Sequence, residues 1–117
     1  MMDKKTINCH ELQELLEANT DVILLDVRDE EKFLAGSLQA NRAGAINRPY
    51  TRMKEEQEPL DEATAKLWKD KPIITLCTSG NKAGKAATLL QEHGFQAFSL
   101  EGGLTAWKAF ESSVQKD

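Results

Sequence analysis

The sequence predicts an α/β fold, a mostly parallel five-stranded sheet with helices on both faces. Three observations predict it. Short apolar runs alternate along the chain with stretches of helical periodicity. The run Pro72-Ile73-Ile74-Thr75-Leu76 is short, apolar and partly β-branched, as expected of a strand covered on both faces. A small polar loop, Cys77-Thr78-Ser79-Gly80-Asn81-Lys82, then joins that strand to an alanine-rich helix. Strand–helix alternation of this kind implies parallel strands linked by crossovers.

Taken in order, residues 5–7 read as a short edge strand. Asn8 caps a helix over 9–18, with Glu11 placed for a capping box and Leu12, Leu15 and Leu16 as its apolar stripe. Residues 22–25 form a central strand, and Asp29 caps a short helix through Phe33. Residues 43–46 form another short strand, and 53–59 a charged, mobile connection. Asp61 starts a helix to about Trp68, with Leu60, Ala63, Leu67 and Trp68 expected to be buried. A helix from Lys82 or Ala83 to His93 follows the loop, with Ala86, Leu89 and Leu90 on one side and Gly94 as its stop. A strand over 95–100, a tight Glu101-Gly102-Gly103 turn and a helix over 104–110 complete the fold. Trp107 is expected in the core. One domain spans 1–117, with its core over about 7–110 and a frayed tail over 112–117.

Composition narrows the function classes. At 117 residues the chain makes one domain that buries about two-thirds of its unfolded surface. A net charge of −4 gives no reason to expect nucleic acid or an anionic membrane as partner. No apolar run is long enough to cross a bilayer. Met1-Met2-Asp3-Lys4-Lys5 leads into no signal-peptide core, so a cytoplasmic protein is expected. Of the two cysteines, Cys9 falls in the first turn of a helix and reads as a structural thiol.

Cys77 reads differently. It lies at the carboxyl end of a parallel strand, where open α/β sheets bind ligands. The amides of the following helix favour an anion there, whether a thiolate or a bound oxyanion. A cysteine after an apolar strand is often just a small buried hydrophobe. The loop argues otherwise. Thr78, Ser79, Gly80 and Asn81 are small or polar and suit no core, and Gly80 and Asn81 tolerate positive φ. The backbone can then curl its N–H groups around the sulfur, and Cys77 becomes a candidate nucleophile.

With Cys77-Thr78-Ser79-Gly80-Asn81-Lys82 and its alanine-rich helix, the chain resembles the single-domain rhodaneses, a sulfurtransferase family. Leu25-Asp26-Val27-Arg28, with Phe33 and Gly36 downstream, is similar to the family's D-V-R-x-x-x-x-[FY]-x-x-G-H-I segment. Gly44-Ala45-Ile46-Asn47 and Pro49 resemble its G-A-x-N-x-P, and Gly102-Gly103-Leu104-Thr105-Ala106-Trp107 its closing G-G-x-x-A-W. Two departures stand out. Ser37 replaces the family's usual histidine, which is expected to loosen that turn, and Gln39-Ala40-Asn41-Arg42 looks inserted. Phosphatases and arsenate reductases on the same fold use a longer loop that ends in an arginine fork for phosphate. No arginine follows Arg52 in this chain.

The resemblance implies transfer of a sulfane sulfur from thiosulfate or a persulfide to a thiophilic acceptor. The acceptor is cyanide in vitro and a thiol in vivo, with a sulfur-relay protein as a further partner. Cys77 would carry the sulfur as a persulfide, which requires no metal or organic cofactor. Thr78, Ser79, Gly80, Asn81 and Lys82 would form the binding loop, with Lys82 either attracting an anionic donor or serving as a solvated surface lysine. Asp26 and Arg28 read as an ion pair fixing their loop, with Arg28 also at the rim; Arg48 and Arg52 are further rim candidates. A persulfide-carrier or interaction module and a cysteine redox sensor remain as alternatives on the same fold.

Overall fold

The computed structural model describes residues 6–18, 21–37, 39–40, 43–56 and 60–115. Lys5, Leu38, Asn41, Arg42, residues 57–59 and residues 116–117, on which some expectations fall, lie outside the described residues. Five parallel strands form the main sheet in the order β1-β7-β6-β2-β5. They are β1 (Thr6–Ile7), β2 (Ile23–Asp26), β5 (Ile46–Asn47), β6 (Ile73–Leu76) and β7 (Ala97–Leu100). The central strands run in register, Ile23 beside Ile73 and Ile73 beside Ala97, and a short helix, α2 (Glu30–Ala35), follows β2.

Helices cover both faces because successive strand residues point to opposite sides. Leu25, Ile73 and Ala97 face a cluster that includes Met53 of α3 (Tyr50–Glu56) and Ala83, Ala86 and Leu90 of α5 (Asn81–Glu92). Leu24, Ile74 and Leu100 face Leu12 of α1 (Cys9–Ala18) and Leu104 and Trp107 of α6 (Gly103–Gln115). The capping box read at Asn8 is formed: Glu11 N–H donates to Asn8 Oδ1 at 2.8 Å, and Asn8 N–H to Glu11 Oε1 at 3.0 Å.

Four expectations are corrected. The connection over 53–59 is helical through Glu56, as part of α3. Pro49 presets the backbone for the first turn, and its carbonyl accepts from Arg52 and Met53 N–H. Met53 is fully buried and anchors this helix, while Lys54, Glu55 and Glu56 face solvent. In α4 (Glu62–Trp68), Leu67 is 69 % exposed and Ala63 is also exposed. Ala65 and Trp68, one turn apart, pack on the core instead, next to Leu60. The strand expected over 43–46 divides in two. Its start is β4 (Ala43–Gly44), which pairs antiparallel with β3 (Gln39–Ala40), and its end belongs to β5. Gln39 and Ala40 of the insertion therefore form one strand of a two-stranded antiparallel pair. Finally, α6 continues to Gln115, past the helix end expected at Phe110, since no Gly or Pro follows Phe110 to stop it.

No helix among the described residues is long and apolar enough to cross a membrane. Among the described residues, no cluster of three His, Cys, Asp or Glu side chains is arranged to hold a metal ion.

Candidate active site

β6 ends at Leu76 and α5 begins at Asn81, so residues 77–80 make the turn between them. Gly80, at the N-cap of α5, has φ of +103°. That left-handed geometry suits glycine and turns the first amides of the helix back toward Cys77. Gly80 N–H donates to Cys77 Sγ at 2.9 Å, and Ala83 N–H donates at 3.3 Å. The sulfur thus sits at the positive end of a 12-residue helix. Cys77 is 4 % exposed and packs in the cluster with Leu25, Val27, Met53 and Ala83. Beneath it, the buried Thr75 hydroxyl donates to the Ala83 carbonyl at 2.7 Å and ties the strand to the helix.

The loop side chains point elsewhere. Thr78, Ser79, Asn81 and Lys82 are exposed, and among the described residues Lys82 makes no ion pair. The polar groups that reach the sulfur are therefore backbone, and the side chains of the loop are left for whatever approaches it.

A second helix holds the loop from the other side. Leu104 N–H donates to the Cys77 carbonyl at 2.8 Å, and Thr105 N–H to the Thr78 carbonyl at 3.2 Å. The first turn of α6 comes so close that a Cβ on Gly103 would overlap both carbonyl oxygens. Gly103 also has φ of +63°. The sequence marked Glu101-Gly102-Gly103 as a turn but not as a clamp on the cysteine loop. A pair of glycines at a helix start was the available signal, since one glycine is enough for a turn.

The neighbouring strand β2 ends in a loop built quite differently. Asp26 is fully buried at its carboxyl end. Arg28 Nε donates to Asp26 Oδ1 at 3.0 Å and Nη2 to Oδ2 at 2.7 Å, a bidentate pair. Arg28 Nη2 also donates to the Gly36 carbonyl at 2.6 Å. Ser37 Oγ donates to Asp26 Oδ2 at 2.6 Å, so serine ties the turn that the missing histidine was expected to loosen. Asn47 Nδ2 donates to the carbonyls of Asp26, at 3.1 Å, and Arg28, at 3.0 Å.

The rim candidates separate. Arg28 lines a groove of about 250 Å³ together with Ser37, Thr78, Thr105, Trp107 and Lys108. Arg48 lies apart from that groove and pairs with Glu56 of α3 at 3.1 Å; Arg52 approaches the same carboxylate at 3.7 Å. Cys9 and Cys77 are both free thiols. Partial burial raises the Cys9 pKa above the ordinary thiol value, with a smaller push from the Glu101 charge.

Residues 8–110 match the family described as Rhodanese-like domain. The Bacillus subtilis protein YtwF, provisionally named a sulfurtransferase, is 31 % identical over 107 residues, covering 92 % of this chain and 93 % of that one. Thiosulfate sulfurtransferase GlpE of Pseudoalteromonas translucida is 33 % identical, covering 90 % of each. A tRNA uridine(34) hydroxylase of Acaryochloris marina is 32 % identical, but only 28 % of its length is covered. Among solved structures, the crystal structure of a rhodanese-related protein from Thermoplasma volcanium superposes with a TM-score of 0.69 at 25 % identity, covering 91 % of this chain and 92 % of that one. With the family match spanning most of the chain and two relatives aligned nearly end to end, this protein belongs to the rhodanese-like domain family.

Proposed function

We propose that the protein is a sulfurtransferase that moves a sulfane sulfur from thiosulfate or a persulfide to a thiol acceptor, with cyanide as acceptor in vitro. The observation that carries this reading is the pair of backbone N–H groups on Cys77 Sγ, from Gly80 and Ala83. Donors fixed at that point favour negative charge on sulfur and are already in place when it develops. The relatedness to GlpE, named a thiosulfate sulfurtransferase, supports thiosulfate as donor.

In the first half-reaction the Cys77 thiolate attacks the outer sulfur of thiosulfate. A new S–S bond forms at Sγ, the old S–S bond breaks, and sulfite departs with its electron pair. The persulfide left on Cys77 carries one negative charge, which the same amides stabilise. In the second half-reaction the acceptor takes that outer sulfur and the electron pair returns to Sγ. Two such substitutions predict ping-pong kinetics. No group beyond the protein and its two substrates is required. Lys82, exposed beside the loop, would draw an anionic donor toward it. The absence of an arginine beyond Arg52 speaks against a phosphate cradle. We place the reaction in the cytoplasm, with a sulfur-relay protein as an alternative donor or acceptor.

The test is thiosulfate:cyanide turnover for the wild type and Cys77→Ser, with intact mass after thiosulfate exposure. The expected result is turnover and a gain of one sulfur in the wild type, and neither in the variant. If the wild type gains no sulfur and yields no thiocyanate, thiosulfate is not the donor. Persulfidated proteins and peroxide then test the carrier and redox-sensor readings.

A further inference from the structure

Thr75 is the one polar side chain of β6, set between Ile74 and Leu76, and it is fully buried. A buried hydroxyl costs free energy unless it is hydrogen-bonded, and a valine would fill the same space without that cost. The Thr75 hydroxyl has two acceptors in reach. The Ala83 carbonyl of α5 lies at 2.7 Å and the Phe98 carbonyl of β7 at 3.4 Å. A hydroxyl has one proton to give, and the shorter bond is the one to α5. The Ala83 carbonyl does not depend on that bond, because inside α5 it also accepts from the N–H four residues on.

Ala83 is also the residue whose N–H donates to Cys77 Sγ at 3.3 Å. Side chains two positions apart on an extended strand share a face, so Thr75 and Cys77 meet the same turn of helix. Ala83 is therefore held at both ends, its carbonyl by Thr75 and its N–H by the sulfur. The two donors to the sulfur differ in how they are placed. Gly80 N–H, at 2.9 Å, is set by the left-handed turn itself. Ala83 N–H belongs to the body of α5, and its distance from the sulfur depends on where the helix lies on the strand.

We propose that Thr75 is a positioning residue for the Cys77 nucleophile: its hydroxyl fixes the first turn of α5 on β6, so that the Ala83 N–H meets Sγ when negative charge gathers there. The carbonyl that Thr75 holds and the N–H that meets the sulfur lie in successive peptide groups, so the effect is one of placement, not of polarisation within one amide. The effect on thiol reactivity rests on this geometry alone. The effect on turnover rests on the sulfurtransferase reading as well.

The experiment uses Cys9→Ser, which leaves Cys77 as the one thiol of the chain. Thr75→Val keeps the shape and loses the donor; Thr75→Ser keeps the donor. Alkylation of Cys77 by iodoacetamide is followed against pH by intact mass, beside urea unfolding of each protein. Thr75→Val is expected to react about threefold to tenfold more slowly near neutral pH, the range set by one neutral hydrogen bond. Its pH profile should move to higher pH and reach the same plateau, and Thr75→Ser should follow the parent. Sγ attacks as a thiolate in the first half-reaction and leaves as one in the second. In Thr75→Val, kcat/KM near neutral pH should therefore fall for thiosulfate and for cyanide alike.

A Thr75→Val profile equal to the parent's overturns the proposal. So does a Thr75→Ser profile equal to that of Thr75→Val, which assigns the effect to shape, or a loss of stability in both variants with no movement of the profile. If Thr75→Val does not fold, Thr75→Ala takes its place against the same Thr75→Ser. Sulfur uptake from thiosulfate is read separately. A displaced profile without sulfur uptake by the parent defeats the sulfurtransferase reading and spares the role of Thr75. Sulfur uptake with an undisplaced profile does the reverse.

Discussion

Two adjacent loops at the carboxyl ends of β6 and β2 are built on opposite plans. The Cys77 loop is held by backbone: amides from α5 reach its sulfur, and amides from α6 reach its carbonyls. The Asp26 loop is held by side chains, with one buried carboxylate gathering Arg28 and Ser37. The difference teaches where each loop tolerates change. A backbone cradle leaves its side chains free to meet substrate, and its weak points are the glycines that let helices approach. A side-chain network spends its polar groups on itself, and its weak point is the charge at its centre.

The largest test of that contrast is Asp26→Asn. It leaves the guanidinium of Arg28, only 13 % exposed, without its counter-charge. Breaking a buried pair in this way costs about 3–5 kcal/mol. Urea unfolding of Asp26→Asn, Arg28→Met and the double variant measures it, and additive losses in the cycle would show that the pair is not coupled. The backbone plan is attacked next by Gly103→Ala. Positive φ and overlap with the Cys77 and Thr78 carbonyls should cost about 2–3 kcal/mol and displace the cradle. Turnover per folded molecule should fall with it, and wild-type turnover in a stable Gly103→Ala would sever the clamp from the chemistry.

A smaller effect sharpens the side-chain plan. Ser37→Ala removes one hydrogen bond to the buried carboxylate, worth about 1–2 kcal/mol. A loss near zero would mean that Arg28 alone satisfies Asp26. The smallest effect lies away from both loops and serves as a control. Asp61 caps α4 by accepting from Thr64 N–H at 3.2 Å, and hydrogen bonding from the Thr64 side chain, with a smaller part from that N–H, holds its pKa below the ordinary carboxylate value. A depressed folded pKa stabilises the protein above the unfolded value, and that stabilisation is lost as pH falls through the folded one. Wild type minus Asp61→Asn should therefore be flat near neutrality and shrink in acid, below pH about 4. A difference that grows in acid would reverse the assignment.

What the sequence revealed, and what it hid, follows the range of the interactions. The Asn8–Glu11 capping box and the β6–Cys77–α5 turn depend on residues a few positions apart, and both were readable from local pattern. The helix over α3 was not, because a single apolar anchor, Met53, sits in a charged run and gives no periodicity. The buried stripe of α4 was assigned to the wrong side because Leu67 outranks Ala65 in hydrophobicity, while only the position of α4 against the core decides which is covered. The Ser37–Asp26 bond spans 11 residues, and Gly103 meets a loop more than twenty positions earlier in the chain. Contacts of that reach leave at most an indirect local trace, such as the second glycine of the Gly102-Gly103 pair. Arg28 and Arg48 were both rim candidates in the sequence, and the fold separates them: Arg28 lines the groove beside Thr78, while Arg48 pairs with Glu56 of α3.

The sheet's outermost pairing has a consequence for how the molecule is made. β1 lies beside β7, and Thr6 Oγ1 donates to Glu101 Oε1 across 95 residues of chain. On the ribosome, where early segments emerge and organise first, β1 must wait for the last strand before it finds its neighbour. The same applies to the cradle, because its clamp is the first turn of α6. A nascent chain that has exposed Cys77 but not yet Gly103 carries the thiol without the grip on its carbonyls. The order of synthesis thus places the finished site among the last things to form.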